Sequence, residues 1–151
     1  MPLVKHVLPL ALFACALQAQ AAPTHCQALD RPQALDLFKQ WNDSLQSRDA
    51  AKVAALYSDD AVLLPTVSKT PRLTPEARVD YFRHFLREGP SGSLDSHHLQ
   101  VGCNVATLAG LYTFQFADTG KQVAARYTFT YHFDGQRWLI SQHHSSLLPT
   151  S

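Results

Sequence analysis

The segment that most limits what this chain can fold into lies near its end. Tyr127, Phe129, Tyr131 and Phe133 fall two apart, with Arg126, Thr128, Thr130 and His132 between them. Strict alternation of this kind is the pattern of a half-buried strand, because successive side chains point to opposite faces of a sheet. Asp134-Gly135 supplies a turn, and Trp138-Leu139-Ile140 opens a second strand. That strand runs into Gln142-His143-His144-Ser145-Ser146, a polar cluster on a rigid platform and the place to look for a site.

Upstream, three helices are expected. Asp30 caps the first, with Pro32 in its opening turn and Gln33 three residues after the cap; Leu35, Phe38, Trp41 and Leu45 carry it to about Ser47. Asp49 caps a short second helix that Asp59-Asp60 ends, and Ala61-Val62-Leu63-Leu64 then forms a short buried strand. Residues 65–72 hold two prolines and no period, so they read as a loop. Thr74 and Pro75 open the third helix, built on Val79, Phe82 and Leu86, and Gly89-Pro90-Ser91-Gly92-Ser93 breaks it. Strands at 97–107 and 111–117 follow, then the two already described. Helices first and consecutive strands after predict an α+β domain, with N-terminal helices laid on a curved, mostly antiparallel sheet. Such a sheet can leave a pocket beneath the helices.

The first 21 residues read as a secretory signal peptide: Lys5, an apolar run from Val7 to Leu17, and the small-x-small site Ala19-Gln20-Ala21. The apolar run is shorter than the roughly 20 residues of a membrane span. A lipoprotein signal at Leu12-Phe13-Ala14-Cys15 is the alternative. Cleavage leaves residues 22–151 as one domain, periplasmic or secreted, with no membrane association. Losing Lys5 removes one of the 13 Lys and Arg and balances the 12 Asp and Glu. A neutral chain without a basic run is a poor nucleic-acid binder. Cys15 leaves with the signal, and the remaining pair, Cys26 and Cys103, is expected to form a disulfide tying the N-terminus to a central strand. Clustered Cys/His spacing is absent, so no metal is expected.

Trp138 followed by His144-Ser145-Ser146 and Pro149 resembles the ending of the calcium/calmodulin-dependent protein kinase II association domain. Ala61–Ser68, Asp80-Tyr81-Phe82, Gly102-Cys103-Asn104, Ala125–Phe129 and His143–Ser146 are similar to its secreted bacterial branch, the SgcJ/EcaC family within the nuclear transport factor 2-like superfamily. The resemblance covers roughly Cys26 to Pro149. It implies a cone-shaped α+β fold with an open pocket, assembled as a homodimer or larger ring through the sheet. It does not imply a kinase, for no Gly-rich loop, lysine strand or Asp-Phe-Gly is present. No dinucleotide fingerprint follows any strand, so no cofactor is expected. The superfamily also hosts isomerases, dehydratases and polyketide cyclases.

Adjacent strand residues face opposite ways, so at most one of His143 and His144 faces a pocket. His144 is expected to share a face with Trp138, Ile140, Gln142 and Ser146, and it is the candidate acid or base. Arg126 is the candidate anchor for an anion, or else an inter-subunit ion-pairing group. Ser146, Tyr81, Tyr57 and Arg72 are the further candidate contacts, with Tyr127 also able to line the cavity. The expected function is an exported homo-oligomeric protein binding a small polar or anionic organic ligand. The alternatives are a cofactor-free acid/base enzyme using His144, and a module for oligomerisation only.

Overall fold

In the computed structural model, which describes residues 25–66 and 68–149, Asp30 and Gln33 form a reciprocal capping box that starts helix α1 (Arg31–Gln46). Ala34, Phe38, Trp41 and Leu45 are its buried stripe, at the spacing that keeps side chains on one helical face. Asp49 caps α2 (Ala50–Ala54), and Thr74 caps α3 (Pro75–Phe85), which has proline in its first turn. The expected signal peptide falls outside the described residues. Among those residues no helix is long and apolar enough to cross a membrane.

Six strands form one sheet: β1 (Tyr57–Leu64), β2 (Pro90–Leu94), β3 (His98–Gly102), β4 (Val105–Phe116), β5 (Gln122–Phe133) and β6 (Trp138–Leu147). Their order is β1-β6-β5-β4-β2, with β3 also paired to β4; β1 and β6 run parallel and every other pairing is antiparallel. The helices pack on one face of this curved, open sheet, as the α+β expectation requires. Phe38 and Trp41 of α1 meet Phe129 of β5 edge-on at 5.9 and 5.1 Å between ring centres, and Phe85 of α3 meets Phe114 at 5.5 Å. Offset and edge-on arrangements are those that aromatic quadrupoles favour.

Four expectations need correction. Gly89-Pro90-Ser91-Gly92-Ser93 ends the helical run but then forms strand β2, because proline is tolerated as the first residue of a strand that pairs on one side only. The expected strand at 97–107 is a hairpin: Cys103-Asn104 turn the chain, with Asn104 in the left-handed region at φ 57°, and β4 then runs unbroken from Val105 through Gly110. Gly110 is required there because a Cβ would lie 2.1 Å from the Ser96 carbonyl oxygen. The Cys26–Cys103 disulfide, spanning 77 positions, therefore fastens the N-terminal segment to a hairpin tip rather than to a central strand. Gln27 reinforces it by donating to Asn104 Oδ1 at 2.7 Å and accepting from the Asn104 N–H at 3.1 Å.

The fourth correction concerns Asp59-Asp60, which lie inside β1 instead of ending α2. Tyr57 pairs with Ile140 but Val62 with Gln142, so the chain between them arches out of the ladder. The carbonyls of this arch are taken by Arg78 of α3: Nη1 donates to Ala61 O at 2.7 Å, and Nη2 to Ser58 O at 2.7 Å and Asp59 O at 3.0 Å. Arg78 is only 1% exposed. Its planar fork reaches three acceptors at once, which a lysine cannot reproduce. Replacing Arg78 by Met strands these carbonyls, and a loss on the order of 3 kcal/mol is expected in urea unfolding, only partly recovered by Lys.

Candidate functional site

Ala125, Tyr127, Phe129 and Tyr131 are the buried row of β5, so the face that carries them is the one the helices cover. In β6, Ser145 stands opposite Tyr127, His143 opposite Phe129 and Ile140 opposite Tyr131, while Gln142 pairs with Thr130. Ser141 is thus an extra residue, and its Oγ donates to the Thr130 carbonyl at 3.1 Å. A one-residue bulge reverses the inward-outward sense of everything beyond it. His143 and Ser145 therefore point inward together with Ile140, and Gln142, His144 and Ser146 point outward. The expectation that His144 shares a face with Ile140 is corrected by this bulge.

His143 is buried and held in a chain of hydrogen bonds. Trp41 Nε1 donates to Tyr57 Oη at 3.0 Å, and Tyr57 Oη lies 2.8 Å from His143 Nδ1. The ring stacks on Phe129 at 4.0 Å and meets Trp41 edge-on at 5.2 Å. Burial among these rings, and secondly the neighbouring His144, push the His143 pKa down to about 3, so its imidazole is neutral. Its Nε2 is buried with no hydrogen-bond partner among the described residues. Such an orphaned group is uncommon in a native fold.

Beside it, Tyr112 Oη donates to Ser145 Oγ at 2.5 Å, and Ser145 Oγ is also hydrogen-bonded to Thr66 Oγ1. Three hydroxyl protons serve two bonds, so one O–H, on Ser145 or Thr66, is left to donate elsewhere. These groups line a chamber of about 20 Å³ together with His143, Trp41, Tyr81, Phe82, Phe85 and Phe114. A cleft of about 280 Å³ adjoins it, sharing Thr66, Tyr81, Phe85 and Phe114 and adding Phe116, Val123, Ser68, His84, Glu88 and Lys121. The loop that carries Thr66 is pinned by reciprocal backbone bonds between Leu63 and Arg72, at 3.1 and 2.9 Å.

Of the residues picked out by sequence, Tyr81 lines both compartments. Tyr57 stands behind the chamber as the partner of His143. Arg72 stacks over the Tyr81 ring at 5.8 Å and donates to Ser68 Oγ at 3.2 Å, with its Nε buried and unpartnered among the described residues. Tyr127 is buried and donates to the Ser96 carbonyl at 3.0 Å. Arg126, His144 and Ser146 are on the opposite, outer face, where Arg126 pairs with Ser146 in register and is exposed. Leu64, His144, Thr128 and Ala109 form a row across four strands of that face, and Leu111 and Leu147 lie exposed beside it. The sequence reading missed His143, Ser145, Thr66 and Tyr112. For His143 and Ser145 no sequence signal was available: counted on from Tyr131 and Ile140, an unbroken register would set Gln142 and His144 opposite Phe129 and Tyr127, and only the bulge reverses this.

Comparison with known proteins agrees with the fold. The chain matches the calcium/calmodulin dependent protein kinase II association domain family over residues 31–149. A solved Xanthomonas campestris protein, described as a candidate domain of this kind, is 38% identical, with 87% of this chain and 100% of that one covered at a TM-score of 0.77. A protein with a cystatin-like, NTF2-like fold from Novosphingobium aromaticivorans is 17% identical, covering 81% of this chain and 84% of its own at 0.67. A candidate dehydratase of the NTF2-like family from Streptomyces avermitilis is 9% identical, covering 79% and 96% at 0.70. These last two show the fold alone. No curated protein sequence matches. The chain belongs to the calcium/calmodulin dependent protein kinase II association domain family and has the nuclear transport factor 2-like, cystatin-like fold.

Proposed function

We propose that this protein is an exported, homo-oligomeric binder of a small polar organic ligand, of the SgcJ/EcaC type. The observation that carries this reading is the unpartnered Nε2 of His143, a residue that lines a small, mostly aromatic chamber with a few uncharged polar groups, beside a larger cleft of mixed lining. A few polar groups set among apolar side chains are what a small-molecule site requires. The disulfide is compatible with export. The uncovered outer face, where Leu64, Leu111 and Leu147 are exposed, supports self-association, as does membership of an association-domain family. On that face Arg126, His144 and Ser146 become contacts between copies. Arg72 acts through Tyr81.

The acid/base alternative has less support. His144 lies on the face opposite the chamber, and the imidazole that does line it is held neutral, unable to take up a proton near pH 7. No Asp or Glu is among the described residues lining the chamber.

Native mass spectrometry of the periplasmically expressed protein tests the reading. A chain beginning at Ala22, a multimer, and one added organic mass per subunit are expected. Ser145→Val, which blocks the chamber, should lose the added mass and keep the multimer, whereas Leu111→Asp should give monomers. A wild-type multimer without any adduct, under conditions that retain ligands, sinks the binding reading.

A second expectation concerns acid. The folded pKa of His143 lies below its ordinary value of 6.5, so the unfolded chain binds the extra proton between that value and about 3. Its contribution to stability is complete above pH 6.5 and is lost as pH falls, with a limiting slope of about 1.4 kcal/mol per pH unit. His143→Gln should flatten this acid limb in urea unfolding at pH 4 to 6.5. An unchanged limb would mean that the ring is not buried as described.

A further inference from the structure

The polar groups of the chamber are all uncharged, and their direction is set from one end. An indole N–H can only donate, so Tyr57 Oη receives from Trp41. Tyr57 is buried, burial pushes its pKa far up, and it has no other acceptor among the described residues, so its own proton goes to His143 Nδ1. Nδ1 is then a bare lone pair, and the single proton of the neutral ring sits on Nε2. His143 thus offers the chamber a donor, and the spare hydroxyl proton of Ser145 or Thr66 offers a second.

Resting on the pocket reading above, we propose that the group seated in this chamber is a neutral carbonyl oxygen, with Trp41 and Tyr57 as positioning residues that fix His143 as its donor. Size, direction and charge each narrow the choice, and together they leave an uncharged acceptor oxygen. About 20 Å³ admits one oxygen-sized group. The donors that line this space are satisfied by an acceptor and not by an ammonium head, which brings only donors of its own. A carboxylate would bring a full negative charge to a space whose described lining holds no cation, and an uncompensated buried charge is costly. The ligand body then lies against Tyr81, Phe85, Phe114, Phe116 and Val123 in the cleft, whose lining also carries Lys121 and Glu88, one charge of each sign.

Long-range proton–nitrogen NMR correlations of the ¹⁵N-labelled protein read the His143 tautomer directly. The free protein should show Nε2–H with Nδ1 unprotonated. Acetophenone should move the Nε2 signal, with benzoate and benzylamine roughly tenfold weaker or silent. Trp41→Phe should introduce the Nδ1–H tautomer and weaken acetophenone roughly tenfold; Tyr57→Phe gives the same test if the first variant fails to fold. An Nδ1–H tautomer in the wild type, an unchanged tautomer in both variants, or benzoate matching acetophenone at His143 overturns the inference and leaves the pocket reading standing. If none of the three probes reaches His143, the pocket reading falls and the inference with it.

Discussion

One extra residue in the last strand decides where the chemistry of this molecule lies. Strand side chains alternate with a period of two, so inserting Ser141 between Ile140 and Gln142 brings the following histidine and serine to the inner face. The bulge is anchored, since Ser141 Oγ donates to the Thr130 carbonyl at 3.1 Å. From it follow two surfaces made from one polar run. His143 and Ser145 enter the core beside Phe129 and Tyr127, while His144 and Ser146 join Arg126 on the outside. Neither surface competes with the other for a side chain, so a pocket and an association face can coexist on one sheet.

Burying the polar end of β6 among aromatic rings dictates its behaviour. Burial of His143 against Phe129 and Trp41 disfavours its charged form, and the neutral ring must then satisfy one acceptor and one donor position. Trp41 and Tyr57 satisfy the acceptor, Nδ1. The other nitrogen is buried with no partner among the described residues, and the chamber that His143 lines has room for only an atom-sized group. On the reading proposed above, this arrangement serves to recognise an oxygen atom. The same economy operates at β1, where Arg78 supplies the hydrogen bonds that an arch in the strand forgoes.

Much of this was readable from the amino acids. Capping by Asp30, Asp49 and Thr74, the stripe of Phe38, Trp41 and Leu45, and the alternation of Tyr127 to Phe133 are local signals, and local geometry obeyed them. What failed depended on distant partners. Asp59-Asp60 look like a helix end until Arg78 is seen holding the backbone around them. Gly89-Pro90 look like a break until β4 lies alongside. The bulge at Ser141 leaves no trace in composition, since it exists only relative to the register of β5. Arg126 is different. Its neighbours Ala125 and Tyr127 are on the aromatic side of β5, and that row already names the covered face, so the outward placement of Arg126 could have been deduced.

His143, not His144, belongs to the interior. Deuterium exchange at the imidazole Cε1–H, followed by NMR in the Leu111→Asp variant so that association covers neither ring, tests it residue by residue. Exchange at His143 at least about tenfold slower than at His144 is the expected result, because burial removes the ring from solvent. His143 exchanging at the rate of an exposed imidazole, with His144 protected, would contradict the bulge and every placement that depends on it.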